Sequence, residues 1–190
     1  MALLTEADFL KVAERAFPRS VAPAVHQGAR DLFPFLDTTL GVHQHLEVVV
    51  QGLELRIPGR IYLRGSEAAP LRNSGPDSLV SQCLCTRSAN GYLRQHALHR
   101  ILHSSEPWVI PFIVLLAGEY VVEIIEDMTA SLPSLHQESY ANFVRQNRAL
   151  MHTLRARATS YWNCYYRAAF PDKRTYPGLV FLHRLEEWAS

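Results

Sequence analysis

The apolar segment from Pro107 to Gly118 constrains the fold of this chain more than any other part of the sequence. It reads PWVIPFIVLLAG, contains no charged residue, and is followed by Glu119. A helix that spans a bilayer needs about 20 apolar residues, so this run is too short to cross a membrane. Other parts of the protein must therefore cover it, which predicts a buried core helix.

Helical periodicity dominates both sides of this segment. Near the N-terminus, Thr5 and Asp8 form a capping-box pattern, with an acid in place of the usual Glu or Gln, and Pro18 stops the helix that follows. A second helix is predicted near 21–33. Further helices are predicted near 76–87, 91–103, 107–131 and 134–168, the last with a break in its middle. The end of the chain, LVFLHRLEEWA, predicts a terminal helix or a strand followed by a helix.

A short β-rich segment interrupts the helical pattern. It runs from His45 to Arg64, and the pairs Gln51-Gly52 and Pro58-Gly59 are turn signals within it. The predicted fold class is therefore mainly α, an irregular stack of antiparallel helices with a small inserted β-hairpin or meander. We expect one domain over residues 1–190, with N-terminal helices in 1–35, the β segment in 45–64 and the helical stack in 76–190.

An arginine lies on the apolar face of the helix predicted near 91–103. On a helical wheel Arg94 projects toward the middle of the face that Leu93, Leu98 and other apolar residues form. A buried guanidinium needs acidic or carbonyl partners. Glu119 and Glu123 lie one helical turn apart in the next segment, which predicts a structural ion pair with Arg94. The alternative is that the two glutamates form a carboxylate pair for acid/base chemistry.

The stretch that contains Arg94, NGYLRQHALHRIL, resembles the second helix of a HEAT-type repeat. That family favours Asp or Asn, then an apolar residue and Arg, then Ala-Leu and a further Leu. The matching residues are Asn90, Leu93, Arg94, Ala97, Leu98 and Leu102. The following PFIVLLAGEYVVEIIEDM resembles the next repeat, although Glu123 departs from the family pattern. The resemblance covers about residues 76–132, and it implies stacked helix pairs and a binding role.

Three histidines and two cysteines are the candidate metal ligands. His96, His99 and His103 share one helix face, and Cys83 and Cys85 precede them. The C-x2-C spacing typical of zinc sites does not occur in this region, and Cys-x-Cys on a helix points its thiols apart. His43 and His45 on a predicted strand are a weaker candidate pair. We expect no metal site and no cofactor.

Aromatic and basic residues alternate between Arg155 and Arg167, in RARATSYWNCYYR. Trp, Tyr and Arg dominate protein-binding hot spots, and the same combination stacks on single-stranded nucleic acid. The plain alternative is that the aromatic rings cover the core while the arginines reach into solvent. The candidate partner-binding residues are Arg155, Arg157, Tyr161, Trp162, Tyr165 and Arg167.

Charge is distributed unevenly over two consecutive segments. Residues 101–144 contain six acids and no Lys or Arg, whereas residues 145–174 contain seven bases and one acid. Neighbouring helices of opposite charge are expected to pack and neutralise each other; otherwise the protein has a basic face. The net charge of +1 gives no overall electrostatic preference for nucleic acid or membranes. The three cysteines and the absence of a signal-peptide pattern predict a reducing, cytoplasmic location.

These features favour a non-enzymatic module that binds another protein, such as an adaptor, an inhibitor or an immunity-type protein. A nucleic-acid-binding helical protein that uses the 145–174 segment is the first alternative. A small hydrolase or metal enzyme that uses Glu119 and Glu123 is the second. No phosphate-binding loop or hydrolase motif occurs in the sequence, and no membrane partner is expected.

Overall fold

A computed structural model of the protein describes residues 3–64 and 76–190, which form two compact units. The first unit comprises the chain up to Val48 and from Leu53 to Ile101, and the second comprises Val49–Gly52 and Leu102–Ser190. The helices of the first unit are α1 (Glu6–Ala16), α2 (Ala22–Leu32), α3 (Pro76–Cys85) and α4 (Gly91–Ile101). Those of the second are α5 (Ile110–Val114), α6 (Val122–Ser131), α7 (Gln137–Gln146), α8 (Arg148–Tyr161) and α9 (Pro177–Trp188). The predicted mainly α fold class is confirmed.

Helix α1 begins at the predicted capping box. The hydroxyl of Thr5 accepts a hydrogen bond from the backbone N–H of Asp8, and the Asp8 carboxylate accepts one from the N–H of Thr5. These two bonds satisfy backbone donors that a helix start leaves without partners. The helix ends at Ala16, because Phe17 adopts an extended conformation ahead of Pro18.

The predicted β segment is a two-stranded hairpin formed by β1 (Val42–Val50) and β2 (Leu53–Ile61). Its turn is Gln51-Gly52, and both residues have positive φ, 51° and 81°. Two positive φ values are typical of a type I′ turn, whose twist matches that of the paired strands. The hairpin runs from Val42 to Ile61, so it starts and ends three residues earlier than the predicted 45–64 range.

The middle of β1 departs from regular strand geometry. Gln44 has φ of 58°, in the left-handed region that a residue with a side chain rarely adopts. Across from it, a Cβ added to Gly59 would lie 3.0 Å from the backbone oxygen of His43. This distortion falls between His43 and His45, so the simple alternation that places both on one strand face does not apply.

The connection between α3 and α4 is tied to strand β2. The backbone N–H of Ile61 donates to the oxygen of Arg87 at 2.8 Å, and the N–H of Ala89 donates to the oxygen of Ile61 at 3.0 Å. The Arg87 guanidinium also donates to the carbonyl oxygens of Pro58 and Gly59. These bonds place the start of α4, where the Asn90 side chain accepts from the N–H groups of Tyr92 and Leu93.

The apolar run of the second unit is buried as predicted, but it is not one continuous helix. Residues 108–118 are all buried, and α5 accounts for only five of them, between 3-10 turns at Pro107–Val109 and Leu115–Gly118. A Cβ added to Gly118 would lie 2.6 Å from Cδ2 of Leu154, so the chain passes unusually close to α8 here. The chain then becomes extended at Glu119 before α6 begins. The helix predicted over 107–131 is therefore wrong in its middle.

The helix predicted over 134–168 is divided, as expected, near its centre. Asn147 separates α7 from α8 and is buried. Its side-chain N–H group donates to the oxygens of Val49 (2.7 Å) and Phe143 (2.8 Å), and its side-chain oxygen accepts from the N–H of Val49 (2.8 Å). Asn147 thus satisfies backbone groups of the hairpin turn that belongs to this unit.

The HEAT-like stacking remains a prediction, because the helices that resemble the two repeats are divided between the two units. Each helix that the structure describes is either too short or too polar to cross a bilayer.

Candidate functional site

A π-helical turn continues the C-terminal end of α8. It comprises Trp162–Tyr166, five residues that lie within the aromatic stretch singled out in the sequence. π-Helical turns are rare and occur often at functional sites, because the extra residue per turn changes the direction in which side chains point. Four tyrosines near this turn, Tyr120, Tyr161, Tyr165 and Tyr166, are called the tyrosine patch below.

The rings of the tyrosine patch contact one another in a continuous row. Tyr120 and Tyr161 have ring centroids 6.1 Å apart, and Tyr161 and Tyr165 have centroids 6.3 Å apart with an interplanar angle of 26°. Tyr165 and Tyr166 are edge to face at 6.4 Å. These distances lie within the range of favourable aromatic pairs, so the rings support one another's orientation.

Hydrogen bonds fix the inner side of the patch. The hydroxyl of Tyr166 donates to the backbone oxygen of Tyr120, and the Tyr166 ring stacks on the buried ring of Tyr176 at 5.6 Å. The indole N–H of Trp162 donates to the backbone oxygen of Phe170 at 2.8 Å. These contacts fix the side chains of Tyr166 and Trp162, and they thereby restrict the movement of the tyrosines on the outer side of the patch.

The outer side of the patch faces solvent. Tyr165 is 70% exposed and Tyr120 is 49% exposed, whereas Tyr161 is half-buried. Large aromatic side chains at this exposure keep apolar surface in contact with water. Because their neighbours already orient the rings, little conformational entropy would be lost when a partner covers them.

Acidic residues lie beside the patch on α6. Burial raises the pKa of Tyr166, and the carboxylates of Glu123 and Glu126 raise it further, because an ionised phenol would be repelled by both. Glu123 and Glu126 are exposed. The environment of Tyr166 is thus negative.

The three predicted partner-binding arginines have different surroundings. Arg155 pairs with Glu186 of α9, and both side chains are about one-third exposed, at 37% and 34%. Arg167 lies over the ring of Trp162, 5.6 Å from its centroid, and contacts the side-chain oxygen of Asn163. Arg157 is exposed and passes close to Gly118. Whether these residues bind a partner stays a prediction.

Over the ranges 3–64 and 76–190, one recorded ion pair joins the acidic segment to the basic one. Arg145 binds Glu138, while Arg155 and Arg174 pair with acids outside residues 101–144. The remaining bases make no ion pair with the residues that the structure describes: Arg148, Arg157, Arg167 and Lys173. These four bases are exposed and are not neutralised by the acidic segment.

The residues of the predicted ion pair differ in burial. Arg94 is completely buried, and its guanidinium donates to the backbone oxygens of Ser88 (2.8 Å) and Ala89 (3.1 Å). Glu119 is 5% exposed, whereas Glu123 is exposed. Arg94 belongs to the first unit and both glutamates to the second, so their pairing stays a prediction.

The candidate metal ligands do not form a cluster. His96, His99 and His103 are all exposed. Cys83 and Cys85 are buried, and burial raises the pKa of both thiols, to about 12 for Cys85. Within residues 3–64 and 76–190, no group of three or more His, Cys, Asp or Glu side chains is arranged to hold a metal ion.

Sequence reasoning missed the part of the patch that lies outside the aromatic stretch. Tyr120 follows the break after Gly118, and it was assigned to the interior of a continuous helix. Glycine is a common helix terminator, so Gly118 was the signal that could have placed Tyr120 in a connection. The contact between Tyr120 and α8 joins residues far apart in the chain, and no local pattern indicates it.

Comparison with known proteins finds no matching family model, no similar curated protein and no similar solved structure at a significant level.

Proposed function

We propose that the chain is a non-enzymatic protein-interaction module and that the tyrosine patch, with Arg157 and Arg167 at its edge, is the surface that binds the partner. A role as an adaptor, an inhibitor or an immunity-type protein in a reducing, cytoplasmic compartment is consistent with this. The observation that carries the proposal is the exposure of Tyr165 and Tyr120 at 70% and 49% on a frame fixed by hydrogen bonds.

Preorganised aromatic side chains are the usual centre of a protein-binding surface. Tyr and Trp bring a large contact area with few rotatable bonds, and a polar rim of charged residues surrounds them in known interfaces. Here the exposed Glu123 and Glu126 of α6 act electrostatically on Tyr166, Arg157 belongs to α8, and Arg167 directly follows the π-helical turn. A rim that contains both acidic and basic residues is complementary to a protein partner whose surface also contains residues of both signs.

Nucleic acid is the second candidate, and the observation that favours it is the set of unneutralised bases on α8 and the segment after it. Exposed tyrosines next to arginines can stack on bases. Against this, Glu123 and Glu126 lie close to Tyr166 and would repel a phosphate backbone. We therefore favour the protein partner.

The proposal is tested by affinity capture from the lysate of the native host with three forms of the protein. These are the unaltered protein, the double variant Tyr120→Ala/Tyr165→Ala and the control variant Tyr92→Ala. Tyr92 is the matched control because it is 76% exposed but belongs to the first unit. Each capture is made with and without nuclease and read by mass spectrometry.

A partner protein that survives nuclease, is retained by Tyr92→Ala and is lost with the double variant is the expected result. Recovery of the same proteins by all three forms would contradict the role of the patch. Nucleic acid that is recovered alone and disappears after nuclease treatment would support the second candidate.

A further inference from the structure

A cleft in the first unit lies where α1 ends and α2 begins. Its volume is about 620 Å³, which is within the range of about 300–1,000 Å³ typical of small-molecule sites. Phe17 and Val25, both nearly completely buried, lie at its apolar base, and Pro18 and Ala22 extend the apolar lining. The cleft can therefore take a compact apolar group.

One side of this cleft is basic. Lys11, Arg15 and Arg19 line it at a spacing of four residues, and all three are exposed. Arg15 and Arg19 make no ion pair with the residues that the structure describes, and Lys11 makes only an exposed contact with Asp8 at 3.6 Å. Two guanidinium groups in the lining of the cleft are thus available to an anion.

The single acid of the lining does not neutralise these arginines. Glu14 is engaged with His26, whose Nε2 lies 2.8 Å from the Glu14 carboxylate. The positive charge of Arg15 also acts on His45 in the hairpin of the same unit. Partial burial lowers the pKa of His45, and the positive charges of Arg56 and Arg15 lower it further.

We propose that this cleft binds a small amphipathic anion, a molecule with a compact apolar body and one carboxylate, sulfonate or phosphate group. The apolar body lies over Phe17 and Val25, and the anionic group is bound by Arg15 and Arg19. Guanidinium groups bind such oxyanions with paired, charge-assisted hydrogen bonds. The site belongs to the first unit and is independent of the tyrosine patch, so each can be present without the other.

Anilinonaphthalene sulfonate is a suitable probe, because it combines an aromatic body with one sulfonate and fluoresces when bound. Phenylnaphthylamine is its uncharged counterpart. Titration of the intact protein with each dye at low ionic strength measures how much of the affinity depends on the charge. We expect saturable binding of one sulfonate dye per chain, about tenfold or more tighter than that of the uncharged dye.

Three variants locate the binding site. Arg15→Ala/Arg19→Ala should weaken sulfonate binding about tenfold or more and leave binding of the uncharged dye unchanged. Ala22→Phe should weaken the binding of both dyes, because the new ring fills the cleft. The matched control is Arg148→Ala/Lys173→Ala, which removes two bases without ion pairs from the second unit and should change neither. Circular dichroism melting confirms that each variant is folded.

Equal affinity for the charged and uncharged dyes would overturn the proposal, as would sulfonate binding that survives Arg15→Ala/Arg19→Ala. Absence of saturable sulfonate binding by the unaltered protein would also overturn it. Equal loss of sulfonate binding in the control variant would mean that general positive charge, rather than this cleft, attracts the dye.

Discussion

The hydroxyl of Tyr166 donates a hydrogen bond to the backbone oxygen of Tyr120, across 46 positions of sequence. One phenol therefore connects the π-helical turn to the segment between Gly118 and α6, a helix that has no side-chain cap of its own. The link also determines where Tyr120 presents its ring.

Removal of this hydroxyl should cost stability. We expect Tyr166→Phe to lower the free energy of unfolding by about 1 kcal/mol, because the hydrogen bond to the backbone oxygen of Tyr120 is lost while the stacking on Tyr176 persists. Urea denaturation measures the change. Tyr165→Phe is the matched control, since that side chain is 70% exposed, and it should leave the free energy of unfolding unchanged. An equal loss in both variants would contradict the link.

Asn147 should be one of the most sensitive positions in the second unit. Asn147→Ala removes three hydrogen bonds and leaves the backbone oxygen of Phe143, which is buried, and the partly buried N–H and oxygen of Val49 without this partner. We expect the free energy of unfolding to fall by about 3 kcal/mol, measured by urea denaturation. The adjacent Gln146→Ala removes an exposed bond from the N–H of Gly52 and a side-chain bond to Asn142, leaves no buried backbone group without a partner, and should cost less than about 1 kcal/mol. A larger loss for Gln146→Ala would be incompatible with this account.

Gly118 should not tolerate a side chain. An added Cβ would lie 2.6 Å from Cδ2 of Leu154, so Gly118→Ala is expected to destabilise the protein by about 1–3 kcal/mol through overpacking. A double-mutant cycle with Leu154→Ala measures the coupling. The double variant should be more stable than the sum of the two single effects predicts, because the alanine at 118 then fills space that Leu154 vacated. If the effects of Gly118→Ala and Leu154→Ala on the free energy of unfolding are strictly additive, the contact between these two positions does not cause the destabilisation.

Stability should decrease in alkaline solution because of the buried thiols. Burial raises the pKa of Cys85 from 9.0 to about 12, so between these values the thiol keeps its proton in the folded protein and loses it in the unfolded chain. The contribution of this thiol to the free energy of unfolding is therefore unaffected below pH 9 and falls by about 1.4 kcal/mol for each pH unit above it. Cys85→Ala should make this pH dependence less steep in denaturation experiments between pH 8 and 11. The exposed Cys164 serves as the control, and Cys164→Ala should leave the slope unchanged.

Features that depend on neighbouring residues were predictable from the sequence. The capping box at Thr5 and Asp8 and the turn at Gln51-Gly52 are encoded by residue types within a few positions of each other. The burial of Arg94 also follows from its place on the apolar face of α4. In each case local backbone preference or helical spacing is sufficient to specify the outcome.

Features that depend on distant contacts were not predictable. The helix is interrupted after Gly118, where the chain lies close to Leu154, 36 positions away. The uniformly apolar composition of residues 107–118 gives no sign of this interruption. Because the sequence predicts a continuous helix over 107–131, Tyr120 is not among the candidate partner-binding residues. Charge patterning failed for a related reason, since sequence shows how many acids and bases follow one another but not that Arg155 reaches Glu186 on α9.

The assignment of Val49–Gly52 to the second unit means that no single cut separates the two units. A fragment that starts at Leu102 would lack the backbone groups of Val49, and Asn147 would be left with two of its three hydrogen bonds missing. During synthesis, by contrast, the hairpin turn leaves the ribosome before any helix of the second unit. The backbone groups of Val49 are therefore already synthesised when Asn147 emerges, so the order of translation lets the junction between α7 and α8 form its hydrogen bonds as soon as these helices are made.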